Sequence, residues 1–342
     1  MNPTRLSLCI PTYNFGAFIG ATLDSIIPQL TPEVEVIVLD GGSTDDTAAV
    51  VRRYARAHPA VRYVHQAQRG GIDRDIARTV DLAVGDYCWL FSADDVMKPN
   101  AVARVLAEIA TGLDVYLCGL TLCDLRMNPI AEHPISRAAP GAVFDLSNAG
   151  ERRRYFELAQ TTTAFFSFMG SVIVRRARWM QIGLDEAFVG SLWSLSVRIL
   201  QMIPTGVKVK YLGEPLLAKR GENDSFMDKG LVHRYGIAID GYHRIAAELF
   251  GPNSFEARHI RRVLVEEFPP QAFLLAKKLC LSGNRPQDLE ELKRLELKAY
   301  VDPTLRTLLY RAIYRFFPVK LYGIARQAYK RLRAALFVVG GK

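Results

Sequence analysis

Residues 87–95 read Tyr87-Cys88-Trp89-Leu90-Phe91-Ser92-Ala93-Asp94-Asp95, an apolar, aromatic run that ends in two adjacent carboxylates. Its first five residues have the unbroken apolar character of a strand buried on both faces of a parallel sheet. Such a strand rarely ends in paired acids unless a cation, a turn or both offset their charge. Asp94 and Asp95 are therefore candidate metal ligands, and a helix cap ahead of Pro99 is the alternative reading.

Working outward, short apolar runs at 6–10, 33–39 and 61–65 precede this strand and alternate with helical patterns at 17–27, 46–57 and 73–84, with another helix at 99–111. Repeated β-α units of this size predict a mostly parallel, Rossmann-like sheet, an α/β fold of the nucleotide-binding kind. Strands are also expected at 115–122 and 207–211, a buried segment of aromatic and β-branched residues at 165–174, a polar loop at 220–225, and helices almost throughout from 231 onward.

With 342 residues, 49% of them hydrophobic, the chain can bury a large core. Its net charge of +9 is not spread evenly. Residues 303–342 hold nine basic side chains (Arg306, Arg311, Arg315, Lys320, Arg326, Lys330, Arg331, Arg333 and Lys342) and no acid, which leaves 35 of each sign elsewhere. A nucleic-acid binder would spread basic charge differently and carry a recognition motif, so nucleic acid is not an expected partner. Cys9, Cys88, Cys118, Cys123 and Cys280 form no CxxC pair and read as reduced core residues. No signal peptide and no run of about 18 apolar residues is found, so a cytoplasmic location is expected.

Ligands of an open parallel sheet bind beyond the carboxyl ends of its strands. Four loops fall there: Pro11-Thr12-Tyr13-Asn14, 40–45 (Asp-Gly-Gly-Ser-Thr-Asp), 69–73 (Arg-Gly-Gly-Ile-Asp) and 92–95 (Ser-Ala-Asp-Asp). The glycines at 41, 42, 70 and 71 permit close backbone approach, Tyr13 can flank a planar base, and Asp40 can accept hydrogen bonds from a base or ribose. Neither GxGxxG nor a Walker lysine occurs, so phosphates need another counter-charge. A divalent cation on Asp94 would supply it.

This combination resembles the family 2 glycosyltransferases, which have the GT-A fold. The likeness rests on Pro11–Asn14, on VIVLDGGSTDDT (36–47) and on GDYCWLFSADD (85–95) before Lys98-Pro99, and is strong over about the first 110 residues. It implies a nucleotide-sugar donor held by Pro11, Thr12, Tyr13, Asp40, Asp73, Arg74, Arg78, Ala93 and Asp94, with Mn or Mg on Asp94 and Asp95. Residues 1–225 would be the GT-A domain (1–112 for the donor, 113–225 for the acceptor), followed by a helical region at 226–302 and basic amphipathic helices at 303–342. GGIDRDIA, VGSLWS and GENDSF are similar to a narrower group, the abequosyltransferases of bacterial O-antigen assembly. That likeness implies a deoxyhexose donor and a lipid-linked saccharide acceptor, of the polyprenyl-diphosphate kind.

The chain departs from the family at several positions. Gly41 replaces an acid, Ser92 replaces the first acid of DxD, and Leu192 stands where the catalytic base is usual. Asp185 and Asp224, with Glu186, are the replacement candidates. A sugar-nucleotide binding protein without turnover is the rival reading, and a nucleotidylyltransferase would need a glycine- and lysine-rich first loop that is absent. His233 is a candidate ligand or a plain surface residue, and Trp193 a sugar platform or a core aromatic.

In the tail, Leu305, Leu308, Leu309, Ala312 and Phe316 recur at helical spacing, with Arg306 and Arg311 off that face, and the pattern resumes beyond Pro318. This predicts a helix lying on an anionic membrane surface, at the inner face of the cell membrane, against the alternative of a helix packed on protein. Homo-oligomerisation is left open.

Overall fold

The first half of the chain alternates strand and helix in the computed structural model, which describes residues 4–283 and 285–323. Strands β1 (Leu6–Thr12), β2 (Val34–Asp40), β3 (Val61–His65) and β4 (Tyr87–Leu90) are separated by helices α1 (Gly16–Ile26), α2 (Thr47–Ala57) and α3 (Ile72–Leu82). There follow β5 (Val96–Met97), α4 (Ala101–Ile109), β6 (Val115–Cys123), β7 (Pro129–Glu132), β8 (Val143–Asp145), α5 (Ala149–Leu158), β9 (Val172–Arg175), α6 (Arg176–Gln181), α7 (Ser194–Leu200) and β10 (Lys208–Lys219).

All these strands join one sheet in the order β3-β2-β1-β4-β9-β6-β10-β5, with β7 on β6 and β8 on β10. The β1, β2, β3 and β4 pairings are parallel, and β9 runs antiparallel between β4 and β6. The chain moves outward from β1 to β3 and returns to β4 on the other side of β1. The crevice for a ligand at such a switch point opens beyond the ends of β1, β2 and β4. Trp89 is wholly buried in β4, donates Nε1–H to the Gly170 carbonyl (2.8 Å) and meets Phe91 edge-on. All five cysteines are buried and unpaired.

The segment 165–174 is largely buried: Phe165 ends a 3-10 turn, Phe166 follows it with a left-handed φ of 64°, and β9 begins at Val172. One segment differs from the sequence expectation: β10 runs on to Lys219, well past the expected end at 211. Gly213, at φ 73°, and Pro215 read as a break, yet β10 keeps its parallel pairing with β6 through register shifts there.

The chain divides into two compact units, one of 1–224 with Ala247–His259, the other of Ser225–Ala246 with Ile260 onward. Helices α8 (Leu231–Phe250), α9 (Phe255–Glu267), α10 (Pro270–Ser282), α11 (Pro286–Ala299) and α12 (Leu305–Phe316) complete the described chain. The core of the second unit is aromatic, with Phe273 edge-on to Tyr300 and Tyr314. Among the described residues no helix is long and apolar enough to cross a membrane.

Candidate active site

Parallel β1 and β2 end side by side at Thr12 and Asp40, so their loops are neighbours. They are also stapled: Asn14 accepts from the Thr44 amide (2.8 Å) and donates its own to Ser43 Oγ (2.9 Å). Asn14 adopts φ 59°, a left-handed conformation that asparagine tolerates better than most residues. Tyr13 carries the Arg69 guanidinium over its ring at 4.0 Å, bringing the third loop against the first. Thr12 Oγ1 is buried without a hydrogen-bond partner.

Asp40 is fully buried. Its carboxylate accepts from the Ser43 amide (2.8 Å) and the Tyr63 hydroxyl (2.6 Å). Burial alone would raise its pKa, but these bonds win and hold it below the usual carboxylate value. Asp75, on α3, adjoins it; in the sequence it reads equally as a functional acid and as a solvated acid at a helix N-terminus, and it is buried. Burial pushes its carboxyl up, against the Gln66 hydrogen bond (2.8 Å) and the charge of Arg69. A Cβ on Gly41 would lie 2.7 Å from Asp75 Oδ2, and one on Gly70 would lie 2.7 Å from Oδ1. The two glycines make room for this carboxylate, which reaches from α3 into the space an acidic side chain at position 41 would need.

The pair that ends β4 is built differently. Asp94 is half-buried and accepts from Asn223 Nδ2 (2.9 Å), while its carbonyl accepts from Arg220 Nε (2.9 Å). Asp95 is buried; Oδ1 accepts the Arg220 amide (2.9 Å), and Oδ2 has no hydrogen-bond partner. Thr22 Oγ1 fixes the turn by donating to the carbonyls of Ala93 and Asp95. Desolvation, then the adjacent Asp94 charge, pushes Asp95 up to about 7, and desolvation also raises Asp94. An orphaned buried carboxylate oxygen beside a second carboxylate suits a hard divalent cation with further oxygen ligands from a diphosphate. No cluster of three or more acidic, histidine or cysteine ligands occurs among the described residues.

Several candidates from the sequence are occupied elsewhere. Asp73 is spent on three backbone amides, of Gly190 (2.8 Å), Leu192 (3.1 Å) and Ser194 (3.2 Å). Arg74, by sequence a candidate with Arg78 for the phosphates, forms an exposed bidentate pair with Glu186 (2.9 and 2.6 Å). Asp185 caps the short turn Glu186–Phe188 through the Ala187 amide and accepts from Gln201 Nε2 (2.9 Å). Arg78 is exposed on α3, Trp193 is buried, and His233 is exposed on α8 in the second unit. Asp224 follows directly on Asn223, whose amide contacts Asp94.

The model of the family described as glycosyl transferase family 2 matches residues 7–177, the segment that carries every one of these rim loops. The chain belongs to this family. Abequosyltransferase RfbV of Salmonella typhimurium is 28% identical to the glycosyltransferase over 295 residues, covering 84% of this chain and 87% of that one. The glycosyltransferase YibD of Escherichia coli is 33% identical over 127 residues, 36% of each chain. Among solved structures, Staphylococcus aureus TarS 1–349 in complex with UDP-GlcNAc superposes with a TM-score of 0.60 at 19% identity, covering 96% of this chain and 92% of that one. The mannosyltransferase PcManGT of Pyrobaculum calidifontis, in complex with GDP-Man and Mn2+, has a TM-score of 0.52 at 16% identity, with 100% and 89% covered. The fold is thus GT-A-like with C-terminal helices, and the chain is a glycosyltransferase.

In this glycosyltransferase the sequence signal was strongest where a loop directly follows a strand. Tyr63, Gln66, Arg220 and Asn223 carried no such signal: Tyr63 lies within β3, and Gln66, Arg220 and Asn223 follow β3 and β10 in loops that meet Asp75, Asp94 or Asp95 only through the fold.

Proposed function

We propose that this enzyme moves a deoxyhexose from a nucleoside diphosphate to a lipid-linked saccharide, of the polyprenyl-diphosphate kind, in bacterial O-antigen assembly, with a divalent cation, Mn or Mg, held by Asp94 and Asp95. The observation that carries the reading is the orphaned Asp95 oxygen beside Asp94, at the carboxyl end of the strand next to the switch point. The likeness to an abequosyltransferase over most of both chains supports the sugar class. Bound there, the cation would neutralise the departing diphosphate.

The protein's own groups do the rest. The Tyr13 ring, backed by Arg69, flanks the base, and Pro11 and Thr12 line its floor. Asp40, preorganised by Ser43 and Tyr63, and Asp75 beside it offer their remaining lone pairs to base and ribose. Arg78 reaches the phosphates from α3, and Ala93 lets them approach the turn. Asp185, or else Asp224, accepts the acceptor proton. Helix α12 rests on the anionic inner face of the membrane, where a lipid-linked acceptor is found.

The test is hydrolysis and transfer with a panel of UDP-, GDP- and CDP-sugars, with and without Mn2+. Asp94→Asn is expected to lower turnover at least about 100-fold, in line with loss of a transition-state charge partner. Binding without turnover for every donor and acceptor would instead favour the rival reading, a nucleotide-sugar binding protein, for which Leu192 at the usual base position is the motivating observation.

A further inference from the structure

Near the end of β10 that meets Asp95, an imidazole and several hydroxyls converge on chemistry that donor binding does not use. The His133 amide, just past β7, donates to the Leu120 carbonyl (3.0 Å), which keeps it against the carboxyl half of β6. Its Nε2 lies 3.0 Å from Thr163 Oγ1 and 3.2 Å from Thr161 Oγ1. Thr161 gives its own proton to the Pro134 carbonyl (2.8 Å), so towards the imidazole it is an acceptor. The ring therefore carries its proton on Nε2 and keeps a lone pair on Nδ1, an assignment made from the hydrogen-bond network. Burial, then the Lys219 ammonium, pushes the His133 pKa down to about 4, so the ring is neutral at physiological pH.

Lys219 connects this cluster to the carboxylates. Its Nζ stands 4.9 Å from the centre of the half-exposed Phe168 ring, and the same charge opposes the upward shifts of Asp94 and Asp95. The next residue, Arg220, donates its amide to Asp95. The partly exposed Phe168 ring thus stands against Lys219, the residue before the Arg220 that holds Asp95, and the Lys219 charge is felt at the partly exposed, neutral imidazole of His133.

We propose that His133, Thr161, Thr163 and Phe168 form the subsite for the acceptor sugar. The imidazole Nδ1 accepts from a sugar hydroxyl, the threonine hydroxyls order the ring, and Phe168 packs on the apolar C–H face of the sugar. This rests on the glycosyltransfer reading above, and the experiment separates the two. Wild type and variants are titrated with UDP and GDP plus Mn2+ by calorimetry, then with methyl hexopyranosides and methyl 6-deoxyhexopyranosides by saturation-transfer NMR on the nucleotide-loaded protein. At least one glycoside is expected to bind wild type. Its affinity should fall at least about tenfold in both His133→Ala and Phe168→Leu and recover in part in His133→Gln, with the nucleotide affinity within about twofold throughout, a tenfold loss being what one good polar contact supplies. Equal glycoside affinity in all four proteins overturns the subsite, as does nucleotide binding with no glycoside bound. Wild type that binds no nucleotide overturns the donor reading, and the subsite with it. Phe168→Leu keeps the question decidable should His133→Ala not fold.

Discussion

Asp95 is the residue whose chemistry depends most on its surroundings. An unfolded aspartate titrates near about 3.9, whereas burial and Asp94 raise Asp95 to about 7. A raised acid pKa means that folding prefers the protonated form. Without a cation, stability is therefore fullest below about pH 4 and is lost as the pH rises through about 7. The full difference corresponds to at most about 4 kcal/mol at 1.36 kcal/mol per unit. In chelator, the urea midpoint should fall between about pH 5 and 8, and Mn2+ should restore it at the upper end because it replaces the proton. Asp95→Asn should flatten this dependence. An unchanged slope in that variant would show that another group titrates. The same pair was the clearest signal in the sequence, because two acids ending an apolar strand need compensation wherever the strand lies.

At the scale of elements, α3 acts as a clamp. Its first turn presents Asp73 to three amides of 190–194, a segment in which Gly190 and Leu192 both have left-handed φ, 84° and 73°. For leucine that conformation costs about 1–2 kcal/mol and has to be held in place. Asp73→Ala removes the acceptor for all three amides and should cost about 2–4 kcal/mol in urea unfolding, with faster proteolytic cleavage within 186–194. A cost under about 0.5 kcal/mol would mean that water satisfies those amides equally well. The family resemblance implies Asp73 at the donor, while in the sequence it reads equally as a solvated acid at a helix N-terminus. Only long-range contact, here across more than a hundred residues, separates the two.

At the scale of the whole molecule, α12 is apolar on two faces. Ile313 and Tyr314 pack into the core of the second unit, while Leu305, Leu308, Leu309 and Phe316 are exposed, Leu305 at 86%. The exposed set is the one whose helical spacing was read from the sequence as membrane-facing. Arg306, Arg311 and Arg315 are exposed on the same helix. The remaining basic residues of the expected second amphipathic stretch, Arg326, Lys330, Arg331, Arg333 and Lys342, lie outside the described residues. Replacing Leu308, Leu309 and Phe316 together by Ser should reduce co-sedimentation with phosphatidylserine vesicles at least about tenfold, and added salt should weaken wild-type binding, since each Lys or Arg adds about 1 kcal/mol at such a surface. Equal sedimentation of variant and wild type would remove α12 from the interface.

By itself the sequence determined the α/β alternation, the four rim loops and the paired acids, because strand periodicity, turn residues and topology act locally or through a general rule of parallel sheets. Tertiary structure alone decided which acids are engaged. It turned Asp73 and Glu186 to structural partners, carried Asp75 beside Asp40, extended β10 past Gly213 to bring Lys219 and Arg220 to the β4 acids, and gathered His133 with Thr161 and Thr163. The reason is physical: a carboxylate or imidazole has the same local preferences in every sequence, and its role is set by what desolvates it and what donates to it across the fold.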